Sequence, residues 1–186
     1  MPEPIREGAT EESSAHSGEL ATGRAYMRIA VDGDEAGIDL KRIILEFLRS
    51  LNVEVEDLDM LAKQRVDYPD IGFNLATRVA RGEFDRGLLI CGTGLGMAMI
   101  ANKVDGIYAG VCHDVYSAER LRKSNDAQII TMGARVIGSE AAKVIVSAWL
   151  NSEFEPQRSG NKVMRMRELE RQTRVRPGKS ETMHEA

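Results

Sequence analysis

The chain has no long apolar run and few residues suited to bind a metal. None of its apolar segments approaches the ~20 residues that a membrane-spanning helix needs, and its first residues lack the continuous apolar core of a signal peptide. Its two cysteines and three histidines show none of the close spacings typical of metal ligands. We therefore expect a soluble, cytoplasmic protein with no metal site and no membrane contact.

The chain also lacks an excess of positive charge. With 25 basic against 29 acidic residues its formal net charge is -4, so no overall electrostatic attraction draws it to nucleic acid. The 186 residues, 42% of them hydrophobic, are enough for one full core. We expect a single domain without a nucleic-acid partner, and a small anionic substrate is compatible with this charge.

The two ends of the chain differ in composition from its middle. Residues 1–26 are rich in Glu, Ser, Thr, Gly and Ala and show no periodicity, which predicts a flexible N-terminal extension. The domain is then predicted to span residues 27–171. Residues 172–186 again lose periodicity, which predicts a disordered tail.

Between the ends, apolar runs of strand length alternate with amphipathic segments of helical length. The runs are residues 28–31, 53–58, 87–90, 107–112 and 128–132, and the amphipathic segments are residues 36–51, 70–81, 97–103, 116–123 and 139–150. This alternation predicts an α/β fold with a five-stranded parallel sheet covered by helices on both faces. In such sheets, ligands bind at the carboxyl ends of the strands.

A further helix is predicted at residues 162–171, a segment dense in Arg and Lys with few large apolar residues. Two interpretations of this helix stay open. It is either a solvated surface helix or a helix that reaches over a neighbouring subunit, where its polar residues would have partners.

Cys91 stands where a predicted strand ends and a glycine-rich loop begins. The loop, residues 92–96, has glycine at every second position and leads into a predicted helix. Backbone N–H groups at a helix N-terminus stabilise negative charge, so they favour a thiolate at Cys91 or an anion in front of it. The alternative is a buried structural cysteine that behaves as a small hydrophobe.

The glycine spacing of this loop must also be compared with a dinucleotide-binding fingerprint. The order is G-x-G-x-G rather than G-x-G-x-x-G, the loop follows the third predicted strand rather than the first, and a cysteine opens it. We therefore do not expect a dinucleotide cofactor.

His113 and Asp114 follow the fourth predicted strand and precede a predicted helix. A histidine moves protons near neutral pH, and a neighbouring carboxylate can hold its tautomer. Asp114 is equally well explained as the cap of the following helix. Because both residues belong to the same predicted sheet edge as Cys91, we expect His113 to take part in catalysis.

Several cations and one amide are candidates for substrate binding. Arg122, Arg135, Arg158 and Lys162 lie in or near predicted loops, and guanidinium groups there suit a phosphate, which they bind in a bidentate fashion. Each of them taken alone is otherwise an ordinary surface residue. Asn125, between two predicted elements, either binds a substrate hydroxyl or forms a turn.

Five motifs occur in order along the chain: residues 66–70 (VDYPD), 90–96 (ICGTGLG), 101–104 (ANKV), 112–118 (CHDVYSA) and 133–138 (GARVIG). Together they resemble the ribose-5-phosphate isomerase B and galactose-6-phosphate isomerase family, over about residues 27–170. The resemblance implies a Rossmann-like three-layer fold and a homodimer or homotetramer whose active sites are shared between subunits. It also implies aldose–ketose isomerisation of a sugar phosphate without metal or cofactor.

The resemblance assigns the central chemical role to Cys91. This residue would be the base that moves a proton between C1 and C2 of the sugar through a cis-enediolate. The anion hole for that intermediate would be formed by the backbone of Gly92, Gly94, Leu95 and Gly96. Preorganised donors of this kind suit the negative charge of a developing enediolate.

The remaining roles are also implied by the resemblance. Thr93 would move the hydroxyl proton, and His113 would assist the opening of a cyclic substrate. The residues implied to contact sugar hydroxyls are Asp34, Asp67, Tyr68 and Asn125. The residues implied to hold the phosphate, some of them from the partner subunit, are Arg122, Arg158 and Lys162.

Four positions depart from the usual pattern of the ribose-phosphate members. Where those members usually read Cys-Asp-His-Ala-Gly, this chain reads Gly-Asp-Glu-Ala-Gly at residues 33–37, and the carboxylate of Glu35 would repel a phosphate beside it. Ser159 and Glu119 stand where a histidine and an arginine are usual. We therefore expect a rebuilt phosphate pocket.

These departures resemble the branch that interconverts D-erythrulose 4-phosphate and D-erythrose 4-phosphate in erythritol catabolism. A tetrose with its phosphate on O4 cannot close a furanose ring through O4, so it needs no ring opening. The retention of His113 keeps ribose 5-phosphate, a substrate of the pentose phosphate pathway, as an alternative. A different class also stays open, namely a protein that binds a sugar phosphate or nucleotide and has lost the reaction.

Overall fold

A computed structural model describes residues 27–51, 53–64 and 66–174. The predicted extension at residues 1–26 lies outside the described residues, as do residues 175–186 of the predicted tail. Residues 172–174 continue the last helix of the domain. The structured region therefore extends past the predicted boundary at residue 171.

The described residues form five strands and seven helices in an alternating order. The strands are β1 (Arg28–Gly33), β2 (Glu54–Asp57), β3 (Arg86–Cys91), β4 (Ala109–Val111) and β5 (Ile129–Gly133). The helices are α1 (Ile38–Ser50), α2 (Met60–Lys63), α3 (Tyr68–Ala80), α4 (Leu95–Ala101), α5 (Val115–Asn125), α6 (Ser139–Leu150) and α7 (Pro156–Arg174). Among the described residues, no helix is both long enough and apolar enough to cross a membrane.

The predicted alternation of strands and helices is confirmed, with differences at three elements. The helix α2 is absent from the prediction, because its four residues are too few to show a helical period. The strand β4 is shorter than the predicted run at residues 107–112. The helix α7 begins at Pro156 rather than at residue 162, and the fixed φ of proline suits the first position of a helix.

The strands of the sheet are parallel and follow the order β2-β1-β3-β5-β4. From β2, on one side of β1, the chain crosses to β3 on the other side. The carboxyl ends of β1 and β3 therefore flank a topological switch point, where ligands of such sheets bind. The strand β5 inserts between β3 and β4, so the carboxyl ends of β1, β3 and β5 lie side by side.

Two apolar layers cover the sheet. Residues such as Ile44 and Trp149 pack α1 and α6 on one face, and Leu75 and Met97 pack α3 and α4 on the other. Every residue of β3 is buried, and its successive side chains alternate between the two layers, so Cys91 faces the side of α3 and α4. The predicted Rossmann-like three-layer architecture is thus confirmed.

A buried arginine holds the end of α6 at the amino edge of the sheet. The guanidinium of Arg86 donates to the carbonyl oxygens of Trp149 (2.8 Å), Leu150 (3.0 Å) and Ser152 (3.0 Å) and to a carboxylate oxygen of Glu153 (2.6 Å). Burial lowers the pKa of Arg86 to about 10. The last carbonyls of a helix have no partner within the helix, so this side chain acts as the C-terminal cap of α6.

Replacement Arg86→Met is expected to lower the free energy of unfolding by about 3 kcal/mol, because it leaves buried carbonyls without a donor. The measurement is urea denaturation followed by the fluorescence of Trp149. The matched control is Arg42→Met, whose ion pair with Asp39 (3.4 Å) is exposed, and which should change stability by less than about 0.5 kcal/mol. Equal losses in the two variants would contradict the capping role.

Candidate active site

A cleft of about 450 Å³ opens at the carboxyl edge of the sheet, beside the switch point. It is lined by Asp34, Glu35, Ala36, Leu61, Val66, Asp67, Tyr68, Pro69 and Arg135. Three of the residues predicted to contact a sugar are in this set. The segment between β2 and α3, including α2, supplies one wall of the cleft, and the loop after β1 supplies another.

Cys91 ends β3 and opens the loop on which the cleft residues Tyr68 and Arg135 pack, but Cys91 is not among the residues that line the cleft. The residue is 6% exposed, and its Sγ accepts a hydrogen bond from the backbone N–H of Gly94 at 3.0 Å. A donor aimed at the sulfur stabilises negative charge on it. Gly94 adopts φ +80° and lies against the backbone of Met132, where a Cβ would come within 3.0 Å. Only glycine suits a backbone of this conformation in so little space.

The loop after Cys91 is held by the chain that follows β5. The N–H of Ala134 donates to the carbonyl oxygen of Cys91 at 2.8 Å, and the N–H of Arg135 donates to that of Gly92 at 3.1 Å. These bonds extend the pairing of β3 and β5 beyond the ends of both strands. The loop therefore has a defined position relative to the sheet.

Side chains of two threonines also shape the loop. The buried Thr131 of β5 donates through Oγ1 to the carbonyl oxygen of Gly94 at 2.9 Å. Thr93 is exposed, and its Oγ1 accepts from the N–H of Leu95 at 3.4 Å. Sequence reasoning did not identify Thr131, because a threonine inside an apolar strand carries no signal of its partner.

The acidic part of the cleft follows β1. The N–H of Asp34 donates to the carbonyl oxygen of Ile90 at 3.1 Å, which ties this loop to β3. Its Oδ1 accepts from the N–H of Gly37 at 3.0 Å. Burial raises the pKa of Asp34, against the lowering effects of that hydrogen bond and of Arg135. The neighbouring Glu35 adds a second carboxylate to the same wall.

Tyr68 joins the cleft to the glycine loop. Its ring packs on Gly96, where a Cβ would lie 2.5 Å from the Tyr68 Cε2 atom, so a residue without a side chain is needed at Gly96. The carboxylate of Asp67 makes no capping bond to α3 and lines the cleft. The structure thus places Asp34, Asp67 and Tyr68 in the cleft beside the glycine loop that follows Cys91.

Among the described residues that line the cleft, Arg135 is the one with a positive charge. Its side chain lies over Gly92, since a Cβ on that glycine would be 3.5 Å from both Cδ and Nη1 of Arg135. The sequence singled out this arginine as one of four cations near loops, but the resemblance assigned it no role. The sequence feature that points to Arg135 is its position two residues after the end of β5, at the carboxyl edge of the sheet.

His113 lies at the same edge of the sheet as Cys91, but not beside it. The strand β5 separates the two residues, because Gly133 pairs with Cys91 and the Gly133 N–H donates to Nε2 of His113 at 3.0 Å. The shared sheet edge that the sequence predicted is therefore present, and the catalytic role of His113 stays a prediction. Its separation from Cys91 follows from the strand order, which places β4 next to β5 instead of β3.

Asp114 has the position of a helix cap. Its carboxylate accepts from the N–H of Ser117 at 2.7 Å and from the Ser117 hydroxyl at 2.6 Å. These bonds lower the pKa of Asp114. Of the two interpretations that the sequence left open for this residue, the structure supports the cap.

Four predicted substrate-binding residues lie at the opposite edge of the sheet. They lie in the last turn of α5, just before the amino end of β5, and in the first two turns of α7: Arg122, Asn125, Arg158 and Lys162. A strand of five residues spans ~16 Å. Within one chain these residues are therefore not brought together with Cys91.

Arg122 also has partners that explain it without a phosphate. It is 8% exposed, and its guanidinium donates to the carbonyl oxygen of Ala127 at 2.8 Å and to Asp126 at 3.3 Å. The turn between α5 and β5 explains these bonds, because its inward carbonyl needs a donor. They engage only Nη1, and Nε has no hydrogen-bond partner among the described residues, so the role of Arg122 in holding a phosphate stays a prediction.

In the part of the chain that the structure describes, no group of three His, Cys, Asp or Glu side chains is arranged to hold a metal ion.

Comparison with known proteins identifies the family. A family model described as Ribose/Galactose Isomerase matches residues 29–166. The chain belongs to the ribose/galactose isomerase family. The D-erythrulose-4-phosphate isomerase of Pectobacterium atrosepticum is 47% identical over 148 residues, which cover 78% of this chain and 97% of that protein. The ribose-5-P isomerase B of Listeria innocua is also 47% identical, over 80% of this chain and 100% of the relative.

Solved structures agree with this family. The ribose-5-phosphate isomerase B of Clostridium thermocellum aligns with a TM-score of 0.75 and 44% identity over 79% of this chain and 99% of that chain. The type B enzyme of Trypanosoma brucei aligns with a TM-score of 0.72 and 33% identity over 77% of this chain and 99% of that chain.

The protein is therefore a sugar-phosphate isomerase of this family, and the predicted aldose–ketose isomerase class is confirmed. The two relatives with 47% identity are named for a four-carbon and a five-carbon substrate. Overall similarity does not separate these two substrates, so the distinction rests on the cleft.

Proposed function

We propose that this isomerase uses Cys91 as its base and works without a metal or cofactor. The observation that carries the proposal is the hydrogen bond from the Gly94 N–H to Sγ of Cys91 at the end of a buried strand. A thiolate at this place has a donor for its charge, and the cleft residues Tyr68 and Arg135 pack on the loop that follows it. A thiol with only a packing role needs no such donor.

The reaction then proceeds by transfer of one proton between adjacent carbons. The Cys91 thiolate removes a proton from C1 of the ketose, and the electron pair of the C–H bond forms the C1–C2 double bond of a cis-enediolate. Backbone N–H groups of residues 92–96 stabilise the oxyanion. Thr93 assists the transfer of the hydroxyl proton from O1 to O2, and the Cys91 thiol returns its proton to C2 to give the aldose.

We further propose D-erythrulose 4-phosphate as the substrate that suits this cleft. Its wall carries the carboxylates of Asp34, Glu35 and Asp67, with Arg135 as the cation. Carboxylates accept hydrogen bonds from sugar hydroxyls and repel a phosphate. A short sugar is favoured, because its phosphate then stays near Arg135 or a partner's cations and away from Glu35.

The presence of His113 is compatible with a four-carbon substrate. A tetrulose 4-phosphate has no furanose form closed through O4, so it needs no acid for ring opening. Ribose 5-phosphate is the second candidate, which the 47% identity to the Listeria innocua enzyme favours.

We also propose that the active unit is a homodimer or homotetramer with shared sites. Arg158 and Lys162 are exposed on α7, at the sheet edge away from Cys91, so a second copy would supply them. The large apolar side chains Phe73 (50% exposed) and Met99 (65% exposed) lie on the helices α3 and α4 that flank the site. Apolar groups of this size next to a cleft suit burial against another chain.

Replacement Cys91→Ala is expected to lower kcat by about 1,000-fold, within the range of a lost acid–base group. The matched control is Cys112→Ala. Cys112 is 2% exposed, and burial raises its pKa to about 12, so it stays a neutral thiol and its loss should leave kcat within about twofold. Initial rates and circular dichroism measure both variants. Normal turnover by a folded Cys91→Ala protein would refute the base assignment.

The substrate is tested by initial rates on D-erythrulose 4-phosphate and ribose 5-phosphate, without added metal. We expect kcat/KM to be at least about tenfold higher for the tetrulose, the size of effect that one carbon can produce. In Glu35→Gln, which keeps the size of the side chain and removes its charge, this ratio should fall. A preference for ribose 5-phosphate would refute the tetrulose assignment, and turnover of neither would refute both.

The shared site is tested by mixing Cys91→Ala chains with Arg158→Ala chains. In a dimer with shared sites, mixed species contain one intact site, so about a quarter of the wild-type activity should return. Arg165→Ala is the control on the same helix, since Arg165 pairs with Glu168 at 2.7 Å on the surface, and it should keep full activity. No recovery in the mixture would mean that each site is formed by one chain.

A further inference from the structure

The donor to the Cys91 thiol belongs to the residue type with the greatest backbone freedom. Gly94 adopts φ +80° and ψ -19°, and its N–H donates to Sγ of Cys91 at 3.0 Å. Glycine reaches many backbone conformations at similar free energy. The direction of this N–H therefore depends on contacts that restrain Gly94 from outside the loop, and two such contacts come from β5.

The first contact is steric. The backbone of Met132 lies against Gly94, where a Cβ would be 3.0 Å from the Met132 carbonyl carbon and 3.1 Å from its N and Cα. A packing contact of this kind has no preferred direction. It limits the approach of Gly94 to the sheet, but it does not by itself orient the peptide groups of the glycine.

The second contact is a directed hydrogen bond from Thr131. Its Oγ1 donates to the carbonyl oxygen of Gly94 at 2.9 Å. The same oxygen accepts the N–H of Ala98 at 3.1 Å, at the start of α4. A carbonyl oxygen has two lone pairs and can accept both bonds. The Gly94 carbonyl is therefore held by β5 and by α4 together.

The hydroxyl of Thr131 lies in surroundings that favour an apolar side chain. All five residues of β5 are buried, and Thr131 is 0% exposed. It pairs with Leu89, which belongs to the apolar layer of α3 and α4. A valine would fill the same space without the cost of burying a hydroxyl. The bond to Gly94 offsets that cost, so the hydroxyl is explained by this one contact.

We propose that Thr131 is a positioning residue for the isomerase reaction, which directs the Gly94 N–H at the Cys91 thiol by holding the Gly94 carbonyl. The two groups belong to one residue, so restraint of the carbonyl together with the contact at Met132 restrains both dihedral angles of Gly94. Thr131 is not among the residues that line the cleft, so it acts through Gly94. The inference rests on the proposed function of Cys91 as the base.

A role of this kind acts on the base and not on the binding of a particular sugar. Loss of the hydroxyl should therefore lower kcat, leave KM nearly unchanged and affect both candidate substrates by the same factor. If Thr131 only fills space, replacement by valine should leave kcat unchanged, because the two side chains have nearly the same shape.

The experiment uses variants of the full chain. Thr131→Val removes the hydroxyl, and Thr131→Ser keeps it and removes the methyl group. The matched control is Thr77→Val, since Oγ1 of Thr77 donates to the carbonyl oxygen of Phe73 at 2.7 Å within α3. The measurements are kcat and KM on D-erythrulose 4-phosphate and ribose 5-phosphate, and hydrogen exchange of the Gly94 amide. The amide of Ile44, in the layer on the other face of the sheet, is the reference for global unfolding.

We expect Thr131→Val to lower kcat by about tenfold for both substrates with KM within about twofold, which is the effect of one lost hydrogen bond. The Gly94 amide should exchange faster in this variant, while the Ile44 amide should not. Thr131→Ser should restore most of the rate and of the protection at Gly94. Thr77→Val should match the wild type in every measurement.

Three results would overturn the proposal: unchanged kcat in Thr131→Val, equal losses in Thr131→Val and Thr131→Ser, or faster exchange at Gly94 and Ile44 alike. The first two would show that the hydroxyl positions nothing, and the third would show a general loss of stability. If the wild-type protein turned over neither substrate, the proposed function would fail by itself. Exchange of the Gly94 amide would then still decide whether Thr131 holds this glycine.

Discussion

The hydrogen-bonded register between β3 and β5 is the constraint on which the candidate site depends. It sets Gly133 beside Cys91, and the lack of a side chain at Gly133 lets its backbone touch that of Thr93. Gly94 approaches the backbone of Met132 for the same reason. A slip of one residue would turn the thiol to the other face of the sheet and separate the loop from the amides that hold it.

Charge is arranged differently at the two edges of the sheet. At the carboxyl edge, acidic side chains and Arg135 line an open cleft, where they can meet a ligand. At the amino edge, Arg86 and Arg122 are buried and donate to main-chain carbonyls. Because buried polar groups need hydrogen-bond partners, these main-chain contacts give both arginines a structural role.

Much of the fold was predictable, and the errors have identifiable physical causes. The run that forms β3 is continuously apolar and entirely buried, which is typical of a central parallel strand. The helix α2 is one turn long and shows no period. Asp114 had two chemical explanations, and the hydrogen bonds from Ser117 support the cap. His113 lies at the predicted sheet edge, but its separation from Cys91 by β5 was not predictable, because strand ends were known from the sequence while strand neighbours were not.

The sequence by itself determined which elements form and which groups end each strand, including the thiol of Cys91 and the glycines after it, because periodicity and turn chemistry act over a few residues. Only the tertiary structure decided that β5 lies between β3 and β4, and with it that His113 contacts Gly133, that Arg135 reaches the cleft and that Arg122 is buried. Strand order depends on packing between distant segments, and no local pattern in the chain encodes it.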